Sequence, residues 1–154
     1  MSHVAAVKCQ ILNLEILKKS CENIGLEFVT GQKTFKWYQT WVNDYNAANA
    51  AYRNGIDPKT YGKCEHAIKV KNANKETYEI GLVRDPERSD AWTMVYDFWQ
   101  GGFGLEKVAG KNLAILQKEY TKMVSVDQLT NLGYMVEVEE LENGELDVIG
   151  TKCW

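Results

Sequence analysis

The chain has 154 residues, of which 45% are hydrophobic and 25% charged, and its formal net charge is −3. One domain of this length buries roughly two-thirds of its unfolded surface, so it needs no disulfide or metal to fold. The acidic balance gives no support to a duplex-DNA binder that depends on a dominant basic face. No apolar run approaches the ~18 residues of a membrane span and the N-terminus lacks a signal-peptide pattern, so we expect a cytoplasmic protein with no membrane partner.

Two strands and a helix are predicted at the beginning of the chain. Residues 3–12 are rich in β-forming side chains, which indicates a strand. Asn13 is a good N-cap, apolar residues recur behind it at helical spacing, and Gly25 is a fitting stop. This pattern predicts a helix over about 14–24, followed by a short strand over 26–29.

The stretch 31–62 is predicted to be an insertion with a short helix, lying over one end of the sheet. An alanine-rich, helix-compatible pattern runs over 43–54. The first part of the insertion is crowded with aromatic side chains, namely Phe35, Trp37, Tyr38, Trp41 and Tyr45. Two interpretations of 35–41 stay open: the rings form a binding surface suited to bases or a partner, or they cover the core.

Three strands follow, over 66–71, 77–84 and 91–98, and their short connections favour antiparallel neighbours. The glycine-rich segment 101–104 precedes a helix but lacks the residue order of a phosphate-binding loop. We therefore expect it to turn the chain from the sheet into the helix.

A second helix and a hairpin complete the predicted elements. Helical spacing over 113–132 ends at Gly133. Residues 134–139 alternate in polarity, and Asn143-Gly144 is a strong turn signal before a returning strand over 146–153. The glutamates of this hairpin are predicted to be its solvated face and tip.

The predicted fold class is α+β, with the whole of 1–154 in one domain. We expect a single antiparallel sheet with two main helices packed on one face, in the order β-α-β-insertion-β-β-β-α-β-β. The four cysteines include no C-x-x-C pair and are expected to be free thiols. No cofactor and no metal site are predicted.

Several segments in collinear order carry a family resemblance. They are Met1-Ser2-His3, Leu14-Glu15-Ile16-Leu17-Lys18-Lys19, Tyr78-Glu79-Ile80-Gly81, Tyr96-Asp97-Phe98-Trp99 and the final hairpin to Trp154. Together they resemble the domain-of-unknown-function 1257 family of cyanobacteria, plastid genomes, viruses and phages, and 62–68 looks like its virus-like members. The insertion 31–62 is longer than in the short plastid members. The family has no established activity, so the resemblance implies the fold and leaves the function open. If 62–68 is indeed virus-like, the resemblance implies a viral or phage protein that acts on host factors.

Lys63, Cys64 and His66 form the most suggestive short cluster. A Cys–His pair can provide a nucleophile and its base, or two ligands of a metal. On a strand, Cys64 and His66 would share one face because they are two residues apart. The structural alternative is a polar strand start beside a packed thiol.

Asp97 and Trp99 are predicted to share the face of the sheet opposite Phe98. A carboxylate beside an indole could hold a polar ligand, with the ring as a stacking wall. In the structural alternative, Asp97 pairs with Arg84 across the sheet.

The leading hypothesis is a non-enzymatic binding module for a nucleotide-like small ligand, a single-stranded nucleic acid or a protein partner. The candidate binding residues are Trp37, Trp41, Lys63, Cys64, His66, Arg84, Asp97 and Trp99. One alternative is an adaptor or subunit of a larger assembly, a homo-oligomer included, that pairs through edge strands over 134–140 or 146–153. Another alternative is an enzyme with a Cys64/His66 centre.

Overall fold

The computed structural model describes residues 4–7, 10–38 and 62–152. Its strands are β1 (Val4–Ala6), β2 (Leu26–Val29), β3 (His66–Val70), β4 (Ile80–Arg84), β5 (Trp92–Asp97), β6 (Tyr134–Glu140) and β7 (Leu146–Lys152). Its helices are α1 (Leu14–Ile24), α2 (Leu105–Ala109) and α3 (Ala114–Asn131). Five antiparallel strands form the main sheet in the order β1-β5-β4-β3-β2. The α+β class is confirmed.

The last two strands form a sheet of their own, so the expected single sheet is divided in two. β6 and β7 pair with each other from Tyr134↔Lys152 to Glu140↔Leu146, and both pack on α3. The Asn-Gly turn signal predicts only this local pairing. Which sheet a hairpin joins depends on where the preceding helix places the chain. Here the preceding helix is α3, which has 18 residues and is therefore about 27 Å long.

Helix α1 has the predicted bounds. The Asn13 Oδ1 atom accepts a hydrogen bond from the Ile16 N–H at 3.1 Å, and Gly25 ends the helix with φ of +88°. The buried side of the helix includes Leu17 and Cys21, which are fully buried against the sheet. The N-cap and the glycine therefore set the length of the element, and the apolar spacing sets its orientation.

The larger core lies between the helices and one face of the main sheet. Alternate residues of the central strands point into it, as expected for a strand with one face buried. The fully buried side chains of this core include Leu26, Ile68, Ile80, Leu82 and Met94 from the sheet, and Leu17, Cys21, Leu105, Ala109, Leu113 and Leu116 from the helices and the loop before α3.

The opposite face of the main sheet is covered by residues 32–38, the described beginning of the predicted insertion. Phe35 and Trp37 are buried there in a second cluster of side chains, which also contains Cys64, Ala67 and Val95. A Cβ atom at Gly81 would lie 2.5 Å from the Phe35 ring, so only glycine permits this close packing. Of the two interpretations of the aromatic stretch, covering the core is the correct one for Phe35 and Trp37.

The remainder of the insertion lies outside the described residues. This includes Trp41, Tyr45 and the helix predicted over 43–54. No helix in the described ranges is both long enough and apolar enough to cross a membrane.

The glycine-rich segment after β5 is a left-handed turn. Five successive residues, 100–104, have positive φ values between 52° and 113°. Left-handed backbone costs a residue other than glycine about 1–2 kcal/mol, which explains why three of the five are glycine. The turn delivers the chain into α2, a short helix that the sequence pattern did not predict.

Candidate functional site

Cys64 and His66 lie on opposite faces of the main sheet, so the prediction that they share a face is wrong. A bend at Glu65 separates them, and β3 begins only at His66. Cys64 packs in the second cluster with Phe35. The His66 ring instead contacts the Trp92 ring, whose centroid is 5.1 Å away, in the larger core.

The Cys64 thiol is held as a packed, protonated group. Its Sγ atom donates to the Gln32 carbonyl oxygen at 3.2 Å. Burial raises the pKa of Cys64 to about 11, so the thiol is protonated at neutral pH and lacks the thiolate that a nucleophile needs. Within the described ranges, no group of three histidine, cysteine or acidic side chains could hold a metal ion.

His66 contacts two aromatic rings, those of Trp92 and Phe28, and the Phe28 centroid is 5.5 Å away. The His66 Nδ1 atom accepts a hydrogen bond from the Gly31 N–H at 2.9 Å. Burial lowers the pKa of His66, which agrees with a neutral ring that accepts at Nδ1. Lys63 is exposed and itself forms an isolated antiparallel bridge with Thr34.

Arg84 is far from Asp97 along the sheet. The guanidinium lies 3.9 Å from the centre of the Trp92 ring and 3.8 Å from the Glu65 carboxylate. Arg84 is in register with Trp92 at the beginning of β5, whereas Asp97 ends that strand. The suggested Arg84–Asp97 pair is therefore wrong.

Asp97 and Trp99 lie together, but the carboxylate is used within the fold. Asp97 is fully buried. Its Oδ2 atom accepts from the Tyr38 N–H at 2.9 Å, and its Oδ1 atom accepts from the Trp99 N–H at 2.8 Å. The Tyr38 and Trp99 rings meet edge to face with centroids 4.8 Å apart. Asp97 thus ties the beginning of the insertion to the left-handed turn.

The candidate residues described so far do not form one open binding surface. Trp37, Cys64 and Asp97 are buried, while His66 and Arg84 are on the other side of the sheet. Lys63 is exposed, and Trp41 lies outside the described ranges.

A different surface stands out at the C-terminal end, where α3, β6 and β7 form what we call the hairpin arm (114–152). Eight large hydrophobic side chains are exposed in the described ranges, and six belong to the arm. They are Ile115, Leu132, Met135, Val138, Leu141 and Ile149. Leu132 and Met135 expose 67% and 65% of their surface. Such a concentration of exposed apolar side chains is typical of a contact surface.

The hairpin of the arm also carries the acidic excess of the chain. Residues 134–152 contain six acidic side chains and one basic one, which gives −5. The whole chain has 18 basic and 21 acidic residues, so the remainder has 17 and 15, or +2. The predicted solvated glutamates are exposed, as expected.

The two faces of the hairpin differ. The face with Gly150 packs on α3, since a Cβ atom there would lie 3.2 Å from a Leu129 methyl carbon. The outer face alternates with it, and Glu139 there lies directly opposite Asp147. Like charges directly opposite each other on a sheet are destabilising, and both side chains are exposed. The outer face therefore carries both apolar and acidic side chains, and the carboxylates of Glu139 and Asp147 repel each other there.

No family model matches the chain, and no curated protein and no solved structure is significantly similar to it. The resemblance to the domain-of-unknown-function 1257 family therefore stays a prediction, and the function must be inferred from geometry and charge.

Proposed function

We propose that this protein is a non-enzymatic protein-binding module that holds an extended, basic segment of a partner on the outer side of its hairpin arm. The observation that carries the proposal lies on the outer face of the two-stranded sheet. There two exposed apolar side chains, Met135 and Ile149, lie among three exposed carboxylates, those of Glu137, Glu139 and Asp147. Interfaces combine an apolar centre with charge that selects the partner.

The strand edges of the hairpin support binding by strand addition. β6 and β7 pair only with each other among the described strands. Each strand therefore keeps one edge whose backbone groups are not paired to another described strand, over 135–140 and 146–150. An extended peptide can add to such an edge by main-chain hydrogen bonds, with its alternate side chains reading the outer face.

Charge selects the kind of partner. A lysine or arginine placed near Glu139 and Asp147 would offset the repulsion between the two carboxylates. A second copy of the arm would bring a hairpin of −5 against another of −5, which disfavours edge pairing between copies. We therefore infer a heterologous partner with a basic, partly apolar extended segment.

The proposal is tested with a fluorescent peptide of alternating lysine and valine, titrated with the full chain and followed by anisotropy. We expect binding that weakens as salt is raised, because the contact is partly electrostatic. The double variant E137Q/E139Q should bind about tenfold more weakly, or about 1.4 kcal/mol. The matched control E76Q/E87Q removes two exposed carboxylates outside the arm and should bind like the wild type.

Two results would overturn the proposal. One is the absence of binding at low salt, and the other is an equal loss of affinity in the arm variant and its control. A peptide of alternating lysine and serine carries the same charge without apolar side chains. If it binds as well as the lysine–valine peptide, the apolar part of the account is wrong.

A further inference from the structure

A second feature, remote from the arm in sequence, is a polar cavity of about 410 Å³ near the end of β3. The turn between β3 and β4 forms one wall, and Lys36 and Glu79 contribute to another. A cavity of this volume lies within the range that holds small molecules. Its lining is mostly polar and contains three lysines, Lys36, Lys69 and Lys75.

The lysines of this cavity are only partly neutralised. Lys69 lies 3.8 Å from the Glu27 carboxylate. The Lys36 Nζ atom donates to the Lys75 carbonyl oxygen at 3.2 Å, which places its ammonium group beside the turn. Neither Lys36 nor Lys75 is in an ion pair with a described carboxylate. The two lysines line the cavity with charges that no described carboxylate neutralises.

The cavity also contains a preorganised acceptor. Glu79 is 92% buried, by its exposed fraction of 8%. Its Oε1 atom accepts from the Lys36 N–H and from the Gln32 side-chain amide, both at 3.0 Å. These bonds fix the carboxylate at the cavity wall. A carboxylate held in this way repels a second anion but accepts hydrogen bonds from hydroxyl groups of a ligand.

We propose that this cavity binds a hydroxylated phosphomonoester of sugar-phosphate size, with the phosphate on Lys36 and Lys75 and a hydroxyl group on Glu79. Lysine ammonium groups are common phosphate partners. No aromatic ring lines the cavity among the described residues, so it offers no platform on which a nucleotide base could stack. The site is independent of the proposed peptide contact at the arm.

Isothermal titration of the full chain with ribose 5-phosphate at low salt tests the site. We expect saturable binding, at least fivefold weaker binding of inorganic phosphate or adenosine monophosphate, and none of free ribose. K36M and K75M should each lower the affinity about tenfold. K19M, which removes an exposed lysine of α1 outside the cavity, should have no effect.

E79Q separates phosphate binding from recognition of the sugar. Glutamine keeps an oxygen acceptor for the Lys36 N–H, so we expect E79Q to be as stable as the wild type. An unchanged thermal midpoint verifies that the variant is folded. This variant should lose the preference for ribose 5-phosphate over inorganic phosphate. Each of three results would overturn the proposal. The first is that ribose 5-phosphate shows no saturable binding, and the second is that K75M and K19M lower the affinity equally. The third is that the wild type binds ribose 5-phosphate and inorganic phosphate with equal affinity.

Discussion

At the scale of single residues, Asp97 looks like a ligand-binding residue in the sequence, but its buried carboxylate is hydrogen-bonded within the fold. Its two carboxylate oxygens accept the backbone N–H groups of Tyr38 and Trp99. The bond from Tyr38 joins two segments that are 59 residues apart in the chain, and the bond from Trp99 is local. A buried carboxylate is tolerated only where such donors satisfy it.

We expect D97N to destabilise the protein by about 1–3 kcal/mol, because one buried N–H would face an amide NH₂ group instead of an acceptor. The free energy of unfolding in urea measures this loss. D147N is the matched control: Asp147 is exposed opposite Glu139, so its neutralisation should leave stability unchanged or raise it slightly. A wild-type stability for D97N would show that the two hydrogen bonds do not hold the turn.

Cys64 and His66 are a second case in which the sequence pattern misplaces single side chains. The sequence places them two residues apart, and on a regular strand they would share a face. The bend at Glu65 breaks that regularity. Sequence spacing cannot detect a bend of this kind, since nothing in the side chains at 64–66 requires it.

At the scale of elements, the left-handed turn over 100–104 is the feature that most constrains the sequence. Gly101 and Gly102 have almost the same backbone conformation, with φ of +65° and +62°. Their surroundings differ. A Cβ atom at Gly102 would lie 3.0 Å from the Leu105 Cβ atom and 3.3 Å from the Asp97 carbonyl oxygen. A Cβ atom at Gly101 would have no atom of the described residues, other than its own chain neighbours, within 4 Å.

This pair therefore separates backbone strain from crowding. G101A should cost about 1–2 kcal/mol for the left-handed conformation alone. G102A should cost more, because the added methyl group also displaces its neighbours. Thermal or urea unfolding of both variants measures the difference. Equal losses would mean that the turn relaxes and that the packing around Gly102 is not tight.

Local signals predict the elements of this fold well. The N-cap Asn13 and the stop Gly25 predict α1 to the residue, and Asn143-Gly144 predicts the hairpin turn. The same signals carry no information on how the hairpin meets the main sheet. They also miss α2, which depends on the unusual turn before it.

At the scale of the whole molecule, the two proposed binding regions differ in how far the sequence predicts them. The acidic excess over 134–152 can be counted in the sequence, but only the structure shows that Glu137, Glu139 and Asp147 share one face with the exposed Met135 and Ile149. The lysine cavity is invisible in the sequence, since Lys36, Lys69 and Lys75 come from three separate segments. Long-range packing brings them together.

The charge is unevenly distributed along the chain. The hairpin sequence carries −5 and the remainder of the sequence +2, so the acidic net charge comes from the hairpin. A strongly acidic, partly apolar patch favours fast association with a basic partner and reduces self-association. We propose that such a partner pairs with an outer strand edge of the hairpin arm.

Hydrogen–deuterium exchange with and without the lysine–valine peptide tests that claim most directly, because strand addition protects backbone amides and simple charge attraction does not. We predict slower exchange confined to the amides of 135–140 or of 146–150, on one strand of the hairpin. Amides of the main sheet should exchange as in the free protein. Protection centred on the main sheet, or binding that leaves both hairpin strands unprotected, would contradict the account.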